Sequence, residues 1–328
     1  MESPSVLAFV MAGGEGTRLH PLTAALPKPG LPFGGGGRLI DFVLSNLYNS
    51  RIRMIYVLLQ YRPQVLLDHI AGNWTSSPRG TDGFVRPVLP ALTPAGEPFR
   101  GTAHAVHQCL HLVEQHAPDI VAVFAADHVY RMDVRQMVRF HEERGADASV
   151  AAVPVSVEQA SSFGIIEADD RDRIRGFQEK PREPARLAAA PDRAYASMGN
   201  YLFNPPVLAR ALRDACERGE FDFGRHVLPR LIHDYRVLAY DFSGNVVPGV
   251  NAYEEPAYWR DVGTVEAYVA AQRDLLGTTP RFELNNHKWP IFCGDNRGFQ
   301  PEGTTTAIPE LLLESQLSRG GRASVLNR

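Results

Sequence analysis

Cysteine is scarce in this chain of 328 residues: Cys109, Cys216 and Cys293 are three, odd in number and far apart. Neither a disulfide framework nor a cysteine-rich zinc knuckle is indicated, and the protein reads as one of a reducing compartment. Long apolar runs are missing too. None reaches the roughly 18 residues of a membrane-spanning helix. Glu2 and the break at Gly13-Gly14-Glu15 leave no basic-then-apolar leader. The expectation is a cytoplasmic protein without membrane contact. Nor is there an excess of one charge: 34 Lys and Arg stand against 37 Asp and Glu, a net charge of −3. That balance argues against a broad nucleic-acid-binding face. Any anionic ligand must be gripped locally, by a few cations and backbone N–H groups.

What is present suffices for a large α/β enzyme. Hydrophobic residues make up 44% and charged residues 22%, ordinary for a globular protein with a sizeable core. Val6–Met11, Met54–Leu59, Ile120–Ala125 and Ala148–Pro154 are short apolar runs typical of strands covered on both faces. Arg38–Asn49, Thr102–His116 and Val134–Arg144 instead carry apolar residues at helical spacing, such as Ile40, Val43, Leu44 and Leu47. This alternation predicts an α/β fold: a doubly wound, mostly parallel mixed sheet with helices on both faces. Ligands of such sheets sit beyond the carboxyl ends of strands. The second half is less regular. It reads as strands over Phe163–Ala168, Ile174–Glu179 and Met198–Phe203, and helices over Pro205–Glu217 and Thr264–Leu276. Glu183–Arg193 reads as a surface loop, and from about 294 a loose tail follows, with a short helix at Ile308–Leu317.

A glycine-rich turn, Ala12-Gly13-Gly14-Glu15-Gly16-Thr17-Arg18, follows the first strand. It is not a P-loop, because no GxxxxGK[ST] string occurs, and as a dinucleotide fingerprint it fails at Leu19. What remains is a loop whose backbone N–H groups approach a triphosphate, with Arg18 reaching over it. Glycine suits that role through positive φ and close backbone approach. A strand-to-helix turn that needs glycine for geometry alone is the alternative.

The longer string from Gly13 to Pro29, of the form GGxGTRLxPLTxxxPKP, resembles the signature of sugar-1-phosphate nucleotidyltransferases. RLIDF (Arg38–Phe42), RGTA (Arg100–Ala103), ADHVYRMD (Ala126–Asp133) and SSFGIIEAD (Ser161–Asp169) follow in order. FQEKP (Phe177–Pro181), ASMGNYLF (Ala196–Phe203), DFG (Asp222–Gly224) and YWRDVGTVEAY (Tyr258–Tyr268) complete the set. Over roughly residues 6–292 these blocks are similar to the bacterial glucose-1-phosphate adenylyltransferases. The resemblance implies a Rossmann-like nucleotidyltransferase fold, with a catalytic domain over 1–277 and a partly disordered C-terminal extension over 278–328.

It also implies a reaction: an oxygen of glucose 1-phosphate attacks the α-phosphorus of ATP, giving ADP-glucose and pyrophosphate. The nucleophile is already ionised near neutral pH, so the chemistry calls for positioning and charge neutralisation and for no general base. The resemblance assigns Arg18, Lys28 and Asp127 to catalysis, and Asp127 with Asp261 to Mg²⁺. Ala12, Gly13, Gly14, Gly16, Thr17, Gly101 and Thr102 would face the nucleotide. Glu179, Lys180, Ser197, Gly199 and Asp222 would face the sugar phosphate. Read alone, each aspartate is a cap or loop residue, and Glu179-Lys180 is an exposed strand end. His104, His107 and His111 share one helical face and read as solvated or substrate-lining, with no structural metal.

Four departures from the family pattern bear on specificity and control. His104 stands where the family has Asp after GTA, and Pro90–Pro94 replaces a Gln-Gln-Arg stretch. Both touch the choice of nucleobase. Ala25-Leu26 replaces a basic pair tied to activation by sugar phosphates, and the family's C-terminal left-handed β-helix is not expected in this chain. The expectation is an enzyme without the usual allosteric activation, acting as a monomer, a homodimer or a hetero-oligomer with a full-length relative. The alternatives are a catalytically weak regulatory paralogue, or an enzyme that uses another nucleoside triphosphate.

Overall fold

Six successive apolar residues, Val6–Met11, form strand β1 inside a nine-stranded sheet in the computed structural model, which describes residues 3–74 and 83–292. The next strands of this sheet are β2 (Met54–Leu58), β3 (Phe84–Val88) and β4 (Ile120–Ala125). β1 lies parallel to both β2 and β4, and β3 extends the parallel half beyond β2. With a neighbour on each side and helices above and below, β1 exposes neither face, which is why its sequence is apolar without alternation.

The sheet then changes sense. Its remaining strands are β5 (Ala148–Ser156), β6 (Gly164–Ala168), β7 (Ile174–Glu179), β8 (Arg193–Phe203) and β9 (Val237–Asp241). β8 runs antiparallel to β4, β5 and β6, so one long strand joins the two halves. The main path is β7-β6-β8-β4-β1-β2-β3, as the doubly wound, mixed-sheet reading requires.

Alternate residues of the strands feed two apolar layers. Ala8, Val10, Val57 and Phe124 face the helix Leu39–Asn49 through Ile40, Val43, Leu44 and Leu47. Leu7, Phe9, Tyr56 and Val123 face the opposite layer with Val106, Leu110, Leu208 and Leu212. Each buried Leu or Ile in these layers contributes about 1.5–3 kcal/mol. The helix Leu39–Asn49 has a second buried side. Its Leu39 and Phe42 join a third cluster with Leu19, Leu31, Phe33, Val262, Tyr268, Phe282 and Ile291. That cluster brings the residue after Arg18 together with the residue after Asp261.

Several elements depart from the sequence reading. The helix expected over Thr102–His116 breaks at Cys109 into Thr102–Gln108 and Leu110–His116. β8 starts at Arg193, five residues before the expected Met198, because Arg193–Ser197 pairs along β5. The helix Gln64–Asn73 and strands β3 and β9 carried no recognised signal. Residues 278–292 stay on the body: Phe282, Trp289 and Ile291 are buried in it. The short helix expected at Ile308–Leu317 lies outside the described residues.

Candidate active site

The glycine turn is built around Lys28. Gly16 has φ of 66°, and a Cβ there would lie 3.0 Å from Lys28 Cβ and 3.2 Å from Thr23 Cγ2. The Thr23 hydroxyl donates to the Gly16 carbonyl at 2.8 Å and closes the loop. Gly13 and Gly14 differ: a Cβ would meet only ordinary contact at the first and open space at the second. Packing therefore does not require glycine at these two positions. Ala12 is buried, its amide bonded to the Leu58 carbonyl, and Thr17 is exposed. Lys28 enters a tight 3-10 turn, Lys28–Gly30, and is only 6% exposed.

Its ammonium lies 2.8 Å from Asp127 Oδ2 and 2.9 Å from Asp261 Oδ1. Asp127 stands just past the carboxyl end of β4, where doubly wound sheets present functional groups. Asp261 arrives by a different route: Trp259–Asp261 pairs antiparallel with His128–Tyr130, so that Asp261 lies level with His128. Burial opposes the charge on Lys28, but Asp127 and Asp261 outweigh it and raise the ammonium above its usual range. Burial likewise opposes ionisation of Asp127, yet Lys28 and His128 hold its carboxyl far below the usual carboxylate range. Arg18 and Asp261 both lie against Gly263: a Cβ there would be 3.2 Å from Arg18 Nη2 and 3.0 Å from Asp261 Oδ2. Arg18, Lys28, Asp127 and Asp261 thus converge.

On the other side of the sheet's midline, Glu179 ends β7 and its carboxylate nests between two glycines. A Cβ on Gly164 would lie 3.1 Å from Glu179 Oε2, and one on Gly224 2.9 Å from it. Asp222 borders the same spot and caps the turn after it, accepting from the Arg225 amide at 2.9 Å. Lys180 has φ of 50° and pairs with Glu179 at 3.1 Å, its side chain half exposed. Ser197 and Gly199 form the bulge of β8; the Ser197 hydroxyl accepts from the Gly199 amide at 3.3 Å. A Cβ on Gly199, whose φ is 69°, would press on Ala125 at 3.3 Å. The bulge thereby abuts the end of β4 that leads to Asp127.

Residues 7–278 match the nucleotidyl transferase family. A glucose-1-phosphate adenylyltransferase of Thermodesulfovibrio yellowstonii is 52% identical over 289 residues, 88% of this chain and 70% of that protein. The same-named protein of Mycobacterium tuberculosis is 49% identical over 304 residues, covering 92% and 74%. That of Mycolicibacterium gilvum is 48% identical over 297 residues, covering 89% and 72%. The chain belongs to the glucose-1-phosphate adenylyltransferase family.

Within this site, Gly101 and Thr102 also carry structural work. A Cβ on Gly101 would collide with the Phe221 carbonyl at 2.3 Å, so close backbone approach by itself demands glycine there. The Thr102 hydroxyl is tied to Asp222 at 3.2 Å and to the Phe223 amide at 3.0 Å, linking the two sides of the site. The expectation of a solvated histidine face is corrected at its first member. His104 is buried; its Nδ1 accepts from the Arg100 amide at 3.1 Å, and its ring meets Phe221 edge-on. Burial, with Arg100 and His107 nearby, lowers its pKa. Ala25 and Leu26 lie on the surface turn before Lys28, Ala25 exposed and Leu26 against the third cluster.

Sequence reasoning passed over His128. Its Nε2 lies 3.5 Å from Asp127 Oδ1 and 3.8 Å from Asp261 Oδ1, and its ring rests against Trp259. Its place inside the ADHVYRMD block was the available signal. Asp127, His128 and Asp261 offer donor atoms within 4.8 Å of one another. Two carboxylates that remain partly open fit a hard divalent ion, which commonly takes one or two carboxylates and completes its shell with phosphate and water oxygens.

Proposed function

We propose that this chain transfers the adenylyl group of ATP to α-D-glucose 1-phosphate, giving ADP-glucose and pyrophosphate, with Mg²⁺ as cofactor. The observation that carries the proposal is the buried Lys28 ammonium held between Asp127 and Asp261. Asp127 and Asp261 would hold the Mg²⁺, which when bound neutralises phosphate charge as two anions approach. Arg18, at the rim of the same cluster, would sit over the triphosphate. The unconstrained Gly13 and Gly14 supply backbone N–H groups to it, and Lys28 supplies a fixed positive charge close by. Glu179 accepts sugar hydroxyls, and Lys180, the more exposed partner, binds the sugar phosphate. No side chain needs to remove a proton, because the attacking phosphate oxygen is already ionised. Positioning and charge then supply the rate enhancement.

The uncharged Ala25-Leu26 turn supports activity that does not depend on fructose bisphosphate, fructose 6-phosphate or pyruvate. Pyrophosphate release from glucose 1-phosphate with Mg²⁺, measured with each of ATP, dTTP, UTP, GTP and CTP, tests the assignment. Release with ATP is expected, unchanged by the three effectors. Release with dTTP or UTP alone would keep the chemistry and reject the adenylyl donor. No release with any nucleotide would leave a regulatory binding role.

A further inference from the structure

Asn46 is fully buried in the helix Leu39–Asn49 and joins three pieces of chain. Its Nδ2 donates to the Tyr130 carbonyl at 3.1 Å. Its Oδ1 accepts from the Met132 amide at 3.0 Å and from the Trp289 indole at 3.3 Å. Tyr130 and His128 are the ends of the short strand that holds Trp259–Asp261 in register, His128 opposite Asp261. One amide side chain therefore links Trp289 to the ladder that sets Asp261 against Asp127. The nucleotidyl transferase match ends at residue 278, before Trp289, while the match to the Mycobacterium tuberculosis relative covers 92% of the chain and so runs past it.

The surrounding contacts tighten this link. The Asn49 amide donates to the Pro290 carbonyl at 2.9 Å, and the Phe292 amide to the Ser45 hydroxyl at 2.8 Å. From the other side, Arg131 pairs with Glu254 at 3.1 Å, both almost wholly buried. Arg131 also donates to the Glu283 carbonyl and stacks over Phe282 at 4.3 Å. Residues 282–292 thus grip Tyr130-Arg131-Met132 from two sides. A buried ion pair of this kind adds little net stability but fixes geometry well, since displacing either partner leaves an unpaired charge.

We propose that Trp289, acting through Asn46, is a positioning residue for the Asp127–Asp261 pair, so that residues 282–292 are a strap completing the catalytic unit. The proposal rests on the reading of these aspartates as Mg²⁺ ligands. With the indole N–H gone, Asn46 Oδ1 keeps a single donor. Its amide is then less firmly oriented toward Tyr130, and the ladder carrying Asp261 loosens.

Trp289→Phe in the full chain keeps an aromatic ring and removes the donor. Leu212→Ala, in the opposite apolar layer, strips a buried side chain far from Asn46 and from the strap. Mn²⁺ binding is measured by electron paramagnetic resonance with a non-hydrolysable ATP analogue, alongside kcat, KM for glucose 1-phosphate and Tm. Trp289→Phe is expected to weaken Mn²⁺ binding and lower kcat by about 10-fold, as outer-shell changes at metal sites do, with KM for the sugar phosphate unchanged. Leu212→Ala is expected to lower Tm at least as far and leave metal binding and kcat alone. If Trp289→Phe loses only Tm, or behaves as the unaltered chain, the strap is packing and the proposal fails. Should Trp289→Phe not fold, Trp289→Tyr, which also lacks the indole N–H but keeps a large ring, is judged by the same criteria. An unaltered chain that binds Mn²⁺ but transfers no adenylyl group refutes the proposed activity and leaves the strap to be decided by binding. One that binds no Mn²⁺ overturns the strap.

Discussion

The two halves of the site are held in different ways. On the parallel side, Lys28 is buried and meets Asp261 across 233 residues of chain, on a turn wrapped by Gly16 and Thr23. On the antiparallel side, Glu179 and Lys180 are sequence neighbours at a strand end and pair with each other, with Lys180 half exposed. Tertiary packing fixes the first arrangement before any ligand arrives; in the second, Glu179 is held between Gly164 and Gly224 while Lys180 stays half exposed. Such a division suits a reaction between two anions. Charges around the reacting phosphorus work best when preorganised, whereas a group that only anchors the sugar phosphate needs reach more than rigidity.

Substitutions on the two sides should therefore fail differently. Asp261→Asn is expected to have the largest effect, a fall in kcat of about 10²–10³, with KM for glucose 1-phosphate nearly unchanged. Steady-state kinetics that show full activity for this variant would remove Asp261 from the metal site and dissolve the contrast. Lys180→Gln should do the reverse. Loss of one charge-assisted contact, about 1.5–3 kcal/mol, predicts a KM for glucose 1-phosphate raised about 10- to 100-fold with little change in kcat. A comparable loss of kcat would mean that the sugar side is as preorganised as the parallel side.

The smallest expected effect concerns pH and the joint between the halves. His141 is 2% exposed, bonded to the Ser149 hydroxyl at 2.9 Å and to Asn204 at 3.2 Å, and burial lowers its pKa. The folded state then binds a proton less readily than the unfolded chain, whose histidine titrates near pH ~6.5. Stability from this site is complete above that pH and declines as pH falls through it, because the unfolded state takes up the proton first. Urea midpoints at pH 7.5 and 5.5 should show a drop that is smaller in His141→Asn. An equal drop in both proteins would place the acid sensitivity elsewhere.

Much of the parallel half was legible from sequence, for a physical reason. Strands buried on both faces must be continuously apolar, and β1 and β4 were bounded correctly as Val6–Met11 and Ile120–Ala125. The helix Leu39–Asn49 announced its sheet-facing side through the 3.6-residue period. β3 escaped because Arg86 and Pro87 interrupt an edge strand, where apolar continuity is not required. The early start of β8 escaped because its buried face there is carried by two small residues, Ala194 and Ala196, alternating with Arg193, Tyr195 and Ser197. The buried side chain of His104 was misjudged because helical spacing fixes only a residue's own face. Phe221, from a distant segment, is what covers it.

By itself the sequence determined the element types of the parallel half, and its family resemblance named the candidate site groups: two cations, two carboxylates and a glycine turn. Hydrophobic periodicity and residue chemistry are properties of the chain read locally. Only the tertiary structure decided which of these groups meet. Asp261 reaches Asp127 through a ladder of three residues, His128–Tyr130 against Trp259–Asp261, too short to leave a periodic signal. The same is true of Trp289, whose single indole donor matters only because a buried Asn46 waits for it. Convergence of this kind is set by long-range packing, which holds polar groups in register that no local pattern specifies.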